Sequence, residues 1–129
     1  MTTRVLMVDD EVDAQELFRQ NFRREIRKGV YEFDFALSGE EALDILRNGT
    51  PPEILVLLSD INMPGMSGVE LLEKVRKTWP DLNVFMITAY GDAATESRVE
   101  ELGASRFFTK PVDFSRLKTD LANATGAAA

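Results

Sequence analysis

Four short apolar runs in this chain of 129 residues end in polar residues able to do chemistry. Val5-Leu6-Met7-Val8 leads into Asp9-Asp10, and the run at 54–58 leads into Ser59-Asp60. The run at 83–88 ends in Thr88, and the one at 106–109 in Thr109-Lys110-Pro111. Singly, each has an ordinary reading: an Asp pair after a strand is often a turn or helix cap, a threonine a β-former, a lysine a solvated charge. Together they are harder to dismiss. Three carboxylates brought to one place raise one another's pKa values, so the cluster needs a cation or must tolerate a proton. Lys110 supplies one positive charge. A hard divalent ion such as Mg²⁺, bound through carboxylates, carbonyls and water, would neutralise the rest.

What could bring these groups together is an open parallel sheet, whose ligands sit beyond the carboxyl ends of the strands at the point where strand order reverses. The chain alternates runs of β-formers with segments of helical period, as β-α units do. After the first strand, residues 14–28 place Ala14, Leu17, Phe18, Phe22 and Ile26 on one helical face, which Gly29 ends. Residues 31–36 alternate like a strand near an edge, and Ser38-Gly-Glu-Glu41 is a capping box before a second helix, closed by Asn48-Gly49-Thr50-Pro51-Pro52. The unbroken run at 54–58 suits a central strand buried on both faces. Ser67-Gly-Val-Glu70 caps a helix bearing Leu71, Leu72, Val75 and Trp79. A fourth, mostly polar helix is predicted over 93–102, stopped by Gly103, and a last one carries Phe114, Leu117 and Leu121. These elements make one α/β domain over 1–123, with 124–129 as a flexible tail or the start of a linker. In the strand order 2-1-3-4-5, with helices on both faces, strands one and three are neighbours at the switch point and the polar ends converge.

Composition narrows the chemistry. Cysteine and histidine are both absent, which excludes disulfides, Cys/His zinc sites, a Ser-His-Asp triad and any phosphohistidine in the chain. With 22 acidic against 15 basic residues, the net charge of −7 disfavours direct contact with nucleic acid or an anionic membrane. Apolar residues make up 44%, enough for a core, yet no run reaches the ~18 residues of a membrane span. A cytoplasmic protein is expected.

Val8-Asp9-Asp10-Glu11, Ser59-Asp60-Ile-Asn-Met63-Pro64-Gly65-Met-Ser-Gly68, Ile87-Thr88-Ala89 and Thr109-Lys110-Pro111 resemble, in order and spacing, the receiver domain of two-component response regulators of the chemotaxis-regulator-like kind. The resemblance covers nearly the whole chain. It implies a flavodoxin-like, doubly wound five-stranded sheet and a signalling switch that takes a phosphoryl group onto Asp60. It further implies an acidic pocket of Asp9, Asp10 and Asp60 that holds Mg²⁺ together with the backbone carbonyl of Asn62. Thr88 and Lys110 would then contact the phosphoryl oxygens, and Lys110-Pro111 would be cis. The donor would be a partner histidine kinase or histidine phosphotransfer protein, since the chain has no phosphate-binding loop of its own. Beyond self-phosphorylation and autodephosphorylation no enzyme activity is expected. The signal would pass to an output domain or protein, and a phosphorylation-dependent dimer is among the outcomes the resemblance allows.

Three positions depart from the family pattern. Phe107, three residues before the lysine, offers shape without a hydroxyl, so a switch pairing Thr88 with Phe107 would act through packing alone. Tyr90 is larger than the small residue many members carry there, and with Asn62 it should affect water access to an acyl phosphate. The connection Pro51-Pro52-Glu53 with the strand after it is a residue or two longer than usual. The runner-up function, an aspartyl-nucleophile Mg-dependent phosphatase, wants a second aspartate where the chain has Asn62. A flavin-binding module on the same fold fits poorly with an acidic loop after strand one.

Overall fold

The computed structural model describes residues 2–48 and 54–126. In chain order the elements are β1 (Thr3–Val8), α1 (Val12–Asn21), α2 (Arg23–Arg27), β2 (Tyr31–Ala36), α3 (Gly39–Asn48), β3 (Ile54–Asp60), α4 (Gly68–Thr78), β4 (Asn83–Thr88), α5 (Ala93–Glu101), β5 (Arg106–Thr109) and α6 (Phe114–Thr125). The strands pair parallel in the order β2-β1-β3-β4-β5, the flavodoxin-like arrangement expected.

Because side chains alternate along a strand, each central strand supplies both layers of core. Leu6, Val8, Leu57, Val84 and Met86 meet Leu43, Leu71, Leu72, Val75 and Val99 of α3, α4 and α5. Val5, Met7, Val56, Leu58, Phe85 and Ile87 meet Phe18, Phe22, Leu117 and Leu121 of α1, α6 and the α1–α2 junction. In both predicted capping boxes the serine bond forms: the Ser38 hydroxyl accepts the Glu41 N–H at 3.1 Å, and that of Ser67 accepts the Glu70 N–H at 3.2 Å.

The helix expected over 14–28 is two helices. The chain breaks at Phe22, whose backbone leaves helical geometry (φ −103, ψ 11) while its ring stays fully buried against Phe33, Tyr31 and Phe114. The single apolar stripe therefore does not persist. Ile26 is 37% exposed on α2, and Leu17, about 100° round the helix from Phe18, is 50% exposed. Gln15 takes a buried place instead.

At the other end, Ala124 and Thr125, expected at the start of the tail, complete α6, which ends in a left-handed Gly126 (φ 72). The reading of Pro51-Pro52-Glu53 falls outside the described residues, as do most of the loop closing the second predicted helix and the last three residues of the tail. The β1–β3 register, however, shifts by one: Arg4 pairs with Ile54 and Val5 with Val56, so β3 absorbs an extra residue at its start and none at its end.

Candidate functional site

The carboxyl ends of β1, β3, β4 and β5 bring the predicted polar groups to one edge. Asp9 follows β1 and its carboxylate is almost wholly buried, with Oδ1 accepting the Glu11 N–H at 2.9 Å. Asp60 closes β3, equally buried, and its Oδ1 accepts the Asn62 N–H at 3.2 Å. The Lys110 ammonium bridges the two, 3.3 Å from Asp9 Oδ2 and 3.2 Å from Asp60 Oδ2. Half-buried Asp10 completes a cluster in which one oxygen from each of Asp9, Asp10 and Asp60 lies within 4.8 Å of the others.

Electrostatically the cluster is short of positive charge. Burial, and after it the Asp9 charge, pushes the Asp60 carboxyl above the ordinary carboxylate range despite Lys110. Burial also pulls the Lys110 ammonium down, but Asp60 and Asp9 outweigh it and hold it above an ordinary lysine. Three carboxylates facing one ammonium, all donors being oxygen, fit a hard divalent cation by charge and by donor chemistry.

On the opposite flank of Asp60, buried Thr88 donates its hydroxyl hydrogen to Asn62 Oδ1 at 2.7 Å and accepts the Tyr90 N–H at 3.1 Å. The Asn62 side chain is exposed and so is Tyr90, at 73%. Half-buried Phe107 packs against the α3–α4–α5 core beside Gly91, where a Cβ would lie 3.9 Å from its ring. The Lys110–Pro111 peptide is cis, as the resemblance implied.

Residues 5–122 match the family model described as the response regulator receiver domain. The chain belongs to the response regulator receiver domain family. Among relatives it is 35% identical over 118 residues to sporulation initiation phosphotransferase F of Bacillus subtilis (strain 168), covering 92% of this chain and 90% of that one. Response regulator protein TrrA from Thermotoga maritima, solved in complex with Mg²⁺–BeF, superposes with a TM-score of 0.80 at 32% identity, covering 95% of this chain and 98% of the other. A response regulator receiver domain protein from Clostridium thermocellum gives a TM-score of 0.86 at 26% identity, with 96% and 94% covered. Other relatives are longer, and the chain spans from 22% to 48% of their length. The chain is thus the receiver domain of a two-component response regulator, and the acidic cluster at its sheet edge corresponds to the kind of pocket in which receivers bind Mg²⁺.

Two supports of this receiver site escape sequence reasoning. Gln15 Nε2 donates to the carbonyls of Asp9 at 3.2 Å and Ala36 at 3.1 Å, pinning the start of the first acidic loop. Its only signal is a polar residue on an otherwise apolar helical face. Gly68 begins α4 so close to the end of β3 that a Cβ there would overlap the Asp60 carbonyl oxygen, while its N–H donates to the Ile61 carbonyl at 2.9 Å. In sequence it closes the Ser59–Gly68 motif and sits inside a capping box, neither of which shows its contact with the Asp60 carbonyl.

Proposed function

We propose that this receiver domain accepts a phosphoryl group on Asp60 from a phosphohistidine of a partner kinase or phosphotransfer protein. The observation that carries the reading is the buried Asp60 carboxylate at the end of the central strand, held by the Lys110 ammonium within a cluster otherwise made of acids.

In the transfer, a carboxylate oxygen of Asp60 forms the new O–P bond as the P–N bond to the donor imidazole breaks, and the imidazole leaves with the bonding pair. The transition state spreads negative charge over the equatorial oxygens, and catalysis is mostly positioning and neutralisation. Lys110 stands where its ammonium can turn from the carboxylates to such an oxygen. The Asp9, Asp10 and Asp60 carboxylates with the Asn62 carbonyl would hold Mg²⁺, which when bound supplies further neutralisation of that charge. Thr88 has its hydroxyl at the same edge, and giving up Asn62 frees it to donate to the phosphoryl group. Its movement would leave room beside β4 for Phe107. A phenyl ring loses no hydrogen bond on moving inward, so the step shifts a population between two packings.

The phosphorylated state ends when water attacks the acyl phosphate, releasing inorganic phosphate and restoring the carboxylate, so the domain turns over only its own modification. Exposed Asn62 and Tyr90 flank that approach and set the lifetime. The functional unit is the receiver fold over 1–123 together with the last two residues of α6. It works in the cytoplasm and hands its state to an output domain or protein, and its dimerisation is tied to phosphorylation. The net charge of −7 argues against direct contact of this domain with nucleic acid or membrane. Among the described residues no helix is long and apolar enough to cross a membrane.

Incubation with Mg²⁺ and acetyl phosphate should label the parent with one phosphoryl group and leave Asp60→Asn unlabelled. Equal labelling of the two proteins would overturn the assignment.

A further inference from the structure

A groove of about 680 Å³ opens along the outer edge of β2, beneath α1 and α2 and apart from the acidic pocket. One side is a row of arginines, Arg19, Arg23 and Arg27, at four-residue spacing across the helix break. The other is aromatic, Tyr31, Phe33 and Phe35, alternating along β2. The Arg19 guanidinium already lies 4.3 Å over the Phe35 ring and pairs with Glu16 at 3.3 Å. Arg23 and Arg27 are exposed and, among the described residues, form no ion pair, on a protein of net charge −7.

The backbone of β2 adds a second feature. The Val30 and Ala36 carbonyls accept hydrogen bonds from the Thr3 and Asp9 N–H groups at 3.0 and 3.1 Å, so even-numbered residues turn their backbone toward β1. By alternation, the N–H and C=O groups of Tyr31, Phe33 and Phe35 point to the edge of the sheet where, among the described residues, β2 has no neighbour. The residues that floor the groove are therefore the ones that offer an unpaired strand ladder, the arrangement used in strand addition.

We propose that this groove docks an extended acidic segment of a partner protein, added beside β2 as a further strand with a carboxylate at every second residue facing Arg23 and Arg27. The two periods match. Four residues of helix rise about 6 Å, and two residues of strand about 6.6 Å, so alternate side chains of the incoming strand meet successive arginines. Guanidinium groups bind carboxylates in a bidentate fork, which favours a segment with acidic side chains over a neutral or basic one. Glu16 and Glu32 also line the groove, so the intervening residues of the segment should be apolar or neutral. A second copy of this chain is a poor occupant, because two-fold pairing of β2 with β2 sets one arginine row against the other.

The test uses the whole chain and a fluorescent seven-residue peptide alternating Glu and Val, with a Lys-Val peptide as control. The Glu peptide should bind with an affinity that falls as salt rises, and it should slow hydrogen exchange at the Phe33 and Phe35 amides. Arg23→Glu/Arg27→Glu should weaken binding at least tenfold, and Arg23→Gln/Arg27→Gln by a smaller factor, with unchanged circular dichroism in both. Absent binding, equal binding of the Lys peptide, unchanged affinity in both double variants, or protection confined to other strands would each overturn the proposal. So would displacement of the peptide by concentration-dependent dimerisation of the chain. Phosphoryl transfer to Asp60 takes no part in the readout.

Discussion

Replacing Asp60 by Asn should stabilise the metal-free protein even as it destroys the proposed acceptor. At an effective dielectric of about 20, each carboxylate pair of the cluster, within 4.8 Å, repels by about 3.5 kcal/mol. Asp60 faces two such partners, one of them half-exposed Asp10, where solvent screening weakens the repulsion. Its attraction to Lys110 at 3.2 Å offsets about 5 kcal/mol. The balance favours removing the charge by about 1–2 kcal/mol, and the burial cost of an ionised Asp60 adds to it with the same sign. In EDTA at pH 7, the urea midpoint of Asp60→Asn should rise by about 0.5–1 M at unchanged slope. Because the folded-state pKa of Asp60 is raised, its penalty is present at neutral pH and disappears as pH falls through the carboxylate range, so the gain should shrink in acid. Added Mg²⁺ should stabilise the parent more than the variant and narrow the gap. A variant no more stable than the parent in EDTA at neutral pH would refute the electrostatic account of the pocket.

Thr88→Val removes the hydroxyl bonded to Asn62 and Tyr90, and should cost about 1–2 kcal/mol in denaturant titrations. With a phosphoryl mimic at Asp60, NMR shift changes at Phe107 and α5 should fall well below those of the parent; equal changes would show that Thr88 does not carry the coupling. Arg76 donates to the carbonyls of Leu102 (3.1 Å), Trp79 (3.3 Å), Leu82 (2.7 Å) and Gly103 (2.6 Å), so Arg76→Met should cost about 2–4 kcal/mol and speed amide exchange at the end of α5. Burial raises the Glu25 pKa, but the Lys118 ammonium at 2.9 Å outweighs it and leaves the carboxyl below its ordinary value. Its stabilisation is thus present above the unfolded-state carboxylate pKa and lost as pH falls through the folded-state value. Glu25→Gln should flatten that part of the acid unfolding profile, measured by circular dichroism from pH 3 to 7.

Asp9, Asp60, Thr88 and Lys110 were legible because each ends an apolar run, and a parallel sheet gathers strand ends at one edge whatever else the chain does. β3 could be read as central from its unbroken run for the same reason: two-sided burial leaves no room for polar alternation. The break at Phe22 was not legible. A stripe at 14, 18, 22 and 26 satisfies helical period, and only contacts with Tyr31 and Phe33, on a strand the helix has yet to meet, decide that the ring turns inward there. Arg76 was equally silent, since a guanidinium serving four carbonyls looks in sequence like any arginine in the last turn of a helix.

The close seating of Gly68 under the end of β3 also has a mechanical side. On one flank of Asp60, α4 presses its first turn onto the strand backbone and drives Leu71, Leu72 and Val75 into the core, a stiff mounting that transmits displacement without yielding. On the other flank, α5 buries Val99 alone and is tied chiefly at its far end by Arg76. The pocket is thus a joint with one rigid and one compliant wall. Under the proposed function, work done at Asp60 would deform the compliant wall first, so direction would be built into the response by unequal stiffness before any particular side chain moves.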